Sequence, residues 1–119
     1  METMSNTKLL RIFIGELDKH NKKPLYEEIV SEARKSQIAG ATVWRGILSY
    51  GASSVVHKTK IMELSADLPI IIEIVDTENK IDLFIPVINE LFKKSRCGGL
   101  ITIEKVEIIK YTHGEAHLG

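Results

Sequence analysis

The sequence predicts an α+β domain in which one antiparallel sheet carries two helices on the same face. Three observations predict it. Apolar segments of strand length alternate with two segments whose apolar residues recur at helical spacing. Read in chain order, these segments run β-α-β-β-α-β. The chain has 119 residues, enough for one domain with its own core.

The first strand is read at Lys8–Ile14 (Lys-Leu-Leu-Arg-Ile-Phe-Ile), closed by Gly15. Glu16 to Lys23 is polar and charged and reads as a connecting loop. Pro24 suits the first position of a helix. Leu25, Ile29 and Ala33, flanked by Tyr26 and Val30, give that helix one apolar face as far as about Ser36. Gly40 interrupts the chain, and Ala41–Arg45 reads as the second strand. The third is Ile70–Val75. Asp76 or Thr77 then caps a second helix marked by Ile81, Phe84, Ile85, Ile88, Leu91 and Phe92. Pro86 lies inside that pattern and predicts a kink, because it removes an amide from the helical ladder. Gly98-Gly99 closes the connection to a fourth strand, Leu100–Tyr111. This order is the ferredoxin-like split βαβ plan. Residues 1–7 are expected to form a flexible leader, 8–111 the domain and 112–119 a flexible polar tail.

Two features exceed what a lone domain needs. The third strand is apolar on both sides, with Ile70, Ile72 and Ile74 on one face and Ile71 and Val75 on the other. Two helices cover one face, so the second is expected to meet another subunit; an apolar but solvated face is the alternative. The connection Gly46–Leu68 is far longer than the two to five residues a hairpin requires, and loops of that length are usually functional or disordered.

Sixteen basic residues balance sixteen acidic ones, so net charge gives no reason to expect nucleic acid or an anionic membrane as partner. The longest apolar run, Leu68–Ile72, is too short for membrane insertion. A single cysteine, Cys97, allows no intrachain disulfide and fits a reducing, cytoplasmic setting. His20, His57, His113 and His117 are scattered; only His113 and His117 are four apart, and they fall in the tail, so no metal site is expected. No nucleophile elbow, Walker loop or paired-cysteine motif occurs.

The connections carry the candidate chemistry. Gly51-Ala52-Ser53-Ser54 offers bare amides and two hydroxyls suited to an anion such as phosphate, or else a plain turn. Arg45, His57, Lys58 and Lys60 place positive charge nearby; surface lysines on a loop otherwise serve solubility. Trp44 and Tyr50 flank the start of the long loop and read as core or rim residues before stacking platforms.

Leu9–Glu16, Lys23-Pro24-Leu25-Tyr26, Gly40–Gly46, Tyr50–Ser54 and Asp67-Leu68-Pro69-Ile70 together resemble a widespread uncharacterised family of small P-II-like proteins, over about Lys8 to Tyr111. More distantly the chain resembles the nitrogen-regulatory P-II signalling proteins. That resemblance implies a homotrimer of ferredoxin-like subunits that binds adenine nucleotides in clefts between subunits. It also implies that a long loop between the second and third strands meets a partner protein.

The resemblance implies site residues one by one. Gly40-Ala41-Thr42-Val43 matches the Gly-x-Thr-Val whose threonine contacts adenine, and Tyr50-Gly51 the aromatic-glycine pair at the base of the long loop. Arg45-Gly46 opens that loop. Ile72-Glu73-Ile74-Val75 matches an Ile-Glu-Ile-Val strand, and Gly98-Gly99 falls at a glycine-rich phosphate loop. Lys110 falls near an arginine that meets phosphate. The expected ligand-binding set is therefore Thr42, Arg45, Gly46, Gly51, Ala52, Ser53, Ser54, His57, Glu73, Gly98, Gly99 and Lys110. Leu100 stands where P-II proteins have a lysine, and Tyr111, Thr112 and His113 offer no second arginine. With fewer cations for phosphate, AMP is favoured over ATP, or a different small anion. The expectation is a ligand-sensing module with no required cofactor and no catalytic residues. An enzyme using the same cleft, with His57 or nearby carboxylates as base, and a purely structural trimer are the alternatives.

Overall fold

The computed structural model describes residues 4–48 and 67–114. In chain order the elements are β1 (Met4–Gly15), β2 (Lys19–His20), β3 (Lys23–Pro24), α1 (Leu25–Lys35), β4 (Thr42–Arg45), β5 (Pro69–Thr77), α2 (Glu78–Ser95) and β6 (Leu100–Ile108). The four longer strands form one antiparallel sheet in the order β4-β5-β1-β6, and β2 and β3 form a separate two-stranded ribbon. The expected α+β ferredoxin-like plan with an antiparallel sheet is the fold of this chain.

The core lies between the helices and one face of the sheet. Alternation along each strand sends Leu10, Ile12 and Ile14 of β1 and Ile70, Ile72 and Ile74 of β5 to that side, where they are buried. Helix α1 meets them with Leu25, Ile29 and Ala33, and α2 with Ile81, Phe84, Ile88 and Leu91. Lys8 sits on the same side at the core's margin and pairs with Glu78 (3.3 Å) and Asp82 (3.0 Å) of α2. The hydrogen bond to Asp82 comes first among the causes that raise its pKa.

Several boundaries differ from expectation, each for a local reason. β1 starts at Met4, so residues 4–7 of the expected leader belong to the sheet: Thr7 pairs with Thr77 and Val106, and its hydroxyl donates to the Val106 carbonyl. β6 ends at Ile108 rather than Tyr111, and among the described residues its pairing with β1 reaches Met4↔Ile108. Pro24 is the residue before α1, not its first turn: its ψ of 131° is extended, as a β3 residue requires. The expected loop from Glu16 to Lys23 contains the β2–β3 hairpin. Its two-residue turn, Asn21-Lys22, has φ of 53° and 67°, the left-handed pair that short hairpins need. Helix α2 runs unbroken from Glu78 to Ser95 with Pro86 inside it. Its start is as expected, with Thr77 Oγ1 accepting from the Lys80 amide at 3.4 Å.

Candidate functional site

The face of the sheet opposite the helices is built in rows, because cross-strand partners point the same way. One row runs Thr42, Glu73, Arg11, Thr102 from β4 through β5 and β1 to β6. The next runs Trp44, Ile71, Phe13, Leu100. A third holds Val75, Leu9 and Glu104. The two outer residues of the second row are more than half exposed, Trp44 at 55% and Leu100 at 56%. The expected two-sided apolar strand is thus present, and its second face is not covered by any described element of this chain.

Arg11 occupies the centre of this face. Its Nε donates to Glu73 Oε2 at 2.9 Å, and its Nη1 donates to Glu104 Oε1. The bond to Glu73 is the leading cause that raises the guanidinium's pKa further. A guanidinium shared by two carboxylates on neighbouring strands holds both side chains in fixed positions. Beside it lies an open hollow of about 470 Å³, lined by Arg11, Phe13, Trp44, Arg45, Ile71 and Glu73. Two aromatic rings and an isoleucine give it an apolar floor. Two arginines and a carboxylate give it polar walls, a combination suited to a planar ring bearing an anionic group.

At the end of the sheet the two stems of the long connection are tied to the turn after β1. The Gly46 amide donates to the Pro69 carbonyl at 2.7 Å, and the Glu16 amide to the Leu68 carbonyl at 2.8 Å. The Leu17 amide donates to Asp67 Oδ1 at 3.1 Å, and Arg45 Nη2 pairs with Glu16 Oε2. Asp18, in the same turn, accepts from the Gly15 amide at 2.9 Å. Its partial burial raises its pKa, with the neighbouring Asp67 charge adding to the rise and the Gly15 amide opposing it. Gly46 is tightly packed: a side-chain carbon there would lie 2.7 Å from Pro69 Cγ.

The expected site residues fall into separate groups. Thr42 and Glu73 are direct cross-strand partners on the open face, with Arg45 and Gly46 one row or more along the same edge strand. Gly98 and Gly99 precede β6 at the other edge, three strand spacings or roughly 14 Å away. Gly99 has a packing reason of its own, since a side-chain carbon would lie 2.7 Å from the Phe13 carbonyl oxygen and 3.0 Å from Phe92 Cζ. Lys110 follows the far end of β6, on the order of 30 Å from Gly99 along the strand. Gly51, Ala52, Ser53, Ser54 and His57 lie outside the described residues. Arg11, Phe13 and Glu16 were not among the expected residues. Arg11 and Glu73 had a readable signal: each is a charge set between two apolar residues that are buried in the core, Leu10 and Ile12 about Arg11 and Ile72 and Ile74 about Glu73.

A family model, DUF190, described as uncharacterized ACR, matches residues 7–108. The chain belongs to this family. Among curated relatives, a UPF0166 protein of Aquifex aeolicus is 40% identical over 102 residues, covering 86% of this chain and 92% of the relative. Another UPF0166 protein, from Methanocaldococcus jannaschii, is 36% identical over 107 residues, covering 90% and 95%. Solved structures share the fold at low identity. CPII of Thiomonas intermedia, bound to ADP, AMP and acetate, superposes with a TM-score of 0.67 at 12% identity, over 92% of this chain and 94% of that one. A putative PII-like signaling protein from Thermus thermophilus gives 0.64 at 16% identity, over 92% and 94%. The P-II-like fold expected from the sequence is therefore that of this family member. Among the described residues no helix is long and apolar enough to cross a membrane, and no group of three or more His, Cys, Asp or Glu is placed to hold a metal ion.

Proposed function

We propose that this chain is a P-II-like ligand-sensing module, a cytoplasmic homotrimer that binds an adenine nucleotide, AMP in preference to ATP, between subunits. The observation that carries the reading is the division of the site. Thr42, Arg45, Gly46 and Glu73 lie on the β4–β5 edge of the sheet, while Gly98 and Gly99 lie at the β6 edge. One chain cannot bring the two groups to one small ligand. A head-to-tail contact sets one subunit's β4 edge against its neighbour's β6 edge, and a three-fold rotation between neighbours closes such contacts into a ring. The exposed Trp44, Val75 and Leu100 supply apolar surface for that contact.

The charge balance supports a weakly charged ligand. The hollow's two arginines are both paired, Arg11 with Glu73 of the lining and with Glu104, and Arg45 with Glu16, so three carboxylates meet two guanidinium groups. That surplus of negative charge opposes a triphosphate more than a monophosphate. The ligands of CPII, ADP and AMP with acetate or bicarbonate, are of the same class. The reading is of binding and not catalysis: carboxylates held by guanidinium groups are poor general bases. Contact with a protein partner through residues 46–68 completes the proposal.

Calorimetry with AMP, ADP and ATP tests it. The expected result is binding at a stoichiometry of one per subunit with affinity falling as phosphates are added. No heat and no thermal shift with any of the three would remove the nucleotide.

A further inference from the structure

We infer that Glu16 acts as an internal counter-anion that occupies Arg45 and sets the affinity of the site for a ligand's anionic group. The inference rests on the anion-binding reading of the hollow, and it adds a residue outside that reading. Arg45 closes β4 and lines the hollow; its guanidinium is paired with the Glu16 carboxylate. Glu16 is held where it is by its own backbone, whose amide bonds the Leu68 carbonyl at 2.8 Å. The next amide, of Leu17, bonds Asp67 at 3.1 Å. The carboxylate is therefore presented to Arg45 by a tied turn, while the arginine is the freer partner: their side chains are 21% and 60% exposed.

A half-exposed ion pair of this kind adds little to stability. Its effect on a ligand is of the same modest size but direct, because the carboxylate uses the donor that a phosphate or carboxylate would use and repels the incoming charge. Arg11, the other cation of the hollow, is already shared between Glu73 and Glu104. Freeing Arg45 is thus the way to gain an unpaired cation there. When an anion takes Arg45, Glu16 loses its partner at the point where both stems of the long connection are tied, so occupancy is felt at Leu68 and Gly46.

The test is titration of AMP and of inorganic phosphate into the full-length wild type, Glu16→Gln and Arg45→Gln, at one ionic strength. Glutamine keeps the size and removes the charge. Glu16→Gln should bind AMP about two- to fivefold more tightly than wild type, the range an exposed ion pair supplies, and Arg45→Gln more weakly. If AMP binds none of the three but phosphate binds Glu16→Gln more tightly than wild type, the nucleotide is wrong and the counter-anion stands. Equal affinity of wild type and Glu16→Gln for whichever probe binds overturns it. So does binding of neither probe by any variant, or an Arg45→Gln variant that binds as wild type does. Thermal melts of each variant check that the fold is kept.

Discussion

The two faces of the sheet use the same strands for opposite purposes. On the helix side, Leu10, Ile12, Ile72 and Ile74 are wholly buried. On the other, one residue away in each strand, Arg11 and Glu73 form an ion pair amid half-exposed Phe13, Ile71 and Val75. The difference shows what each face is for. A face made only of aliphatic side chains is closed by this chain's own helices and needs shape alone. Under the proposed function, a face that mixes an aromatic and aliphatic floor with a charge network meets a ligand or a second subunit.

The largest effect expected from breaking this contrast is on the helix side. Ile72→Ala should destabilise by about 2–5 kcal/mol, by lost burial and a residual cavity, measured by chemical denaturation. Ile71→Ala, one residue along and on the other face, should leave the circular dichroism of the fold intact and shift the proposed trimer toward monomers. Equal losses of stability for both would erase the distinction between the faces.

Next in size is Gly99→Ala. The added carbon meets the Phe13 carbonyl, which is backbone and cannot rotate aside. A loss of roughly 1–3 kcal/mol is expected. If stability is kept but ligand affinity falls, Gly99 serves the ligand and not the packing.

How much of this was legible in the sequence follows from which forces act locally. The six main elements were readable because burial gives β1 and β5 short apolar runs and α1 and α2 helical spacing, while β4 and β6 are short segments set off by Gly40 and Gly98-Gly99. The β2–β3 hairpin was hidden, because its turn is Asn21-Lys22 and not the asparagine-glycine pair that advertises such a turn. Met4–Thr7 read as a leader because their place in the sheet comes from backbone pairing, which leaves no apolar pattern. Of the site, Thr42 and Glu73 were named separately and the sheet register makes them partners. The Arg11 network and the Glu16–Arg45 pair depend on which strands become neighbours, and residue spacing along the chain does not encode that directly.

The hairpin gives a smaller prediction. Lys22 holds a φ of 67° that glycine adopts without a side-chain penalty. Relief of a left-handed cost of about 1–2 kcal/mol outweighs glycine's entropic cost of roughly 0.5–1 kcal/mol, so Lys22→Gly should raise stability by about 0.5–1 kcal/mol, read from the denaturation midpoint. An unchanged or lowered midpoint would mean that the lysine side chain has a compensating contact.

The smallest effect is expected at Asp18. Its folded-state pKa is raised above the ordinary 3.8, chiefly by burial. The folded form therefore takes up a proton more readily than the unfolded one, and the charged carboxylate weakens the fold as pH rises through the raised value. Asp18→Asn keeps an acceptor for the Gly15 amide and removes that charge. Its melting temperature should exceed the wild type's slightly at pH 7, and the two should converge as pH falls below 3.8, where Asp18 is protonated in both states. A gap that widens toward low pH would contradict the assignment.

The central claim is that the open face and the divided site are completed by further copies of the chain. Mass spectrometry under non-denaturing conditions, on protein purified without added nucleotide and then mixed with AMP, tests it most directly. The account predicts a species of three times the 13.4 kDa subunit that gains the mass of up to three AMP molecules. A monomer at micromolar concentration that takes up AMP unaided would contradict it, since one chain would then be assembling a site its two sheet edges hold apart.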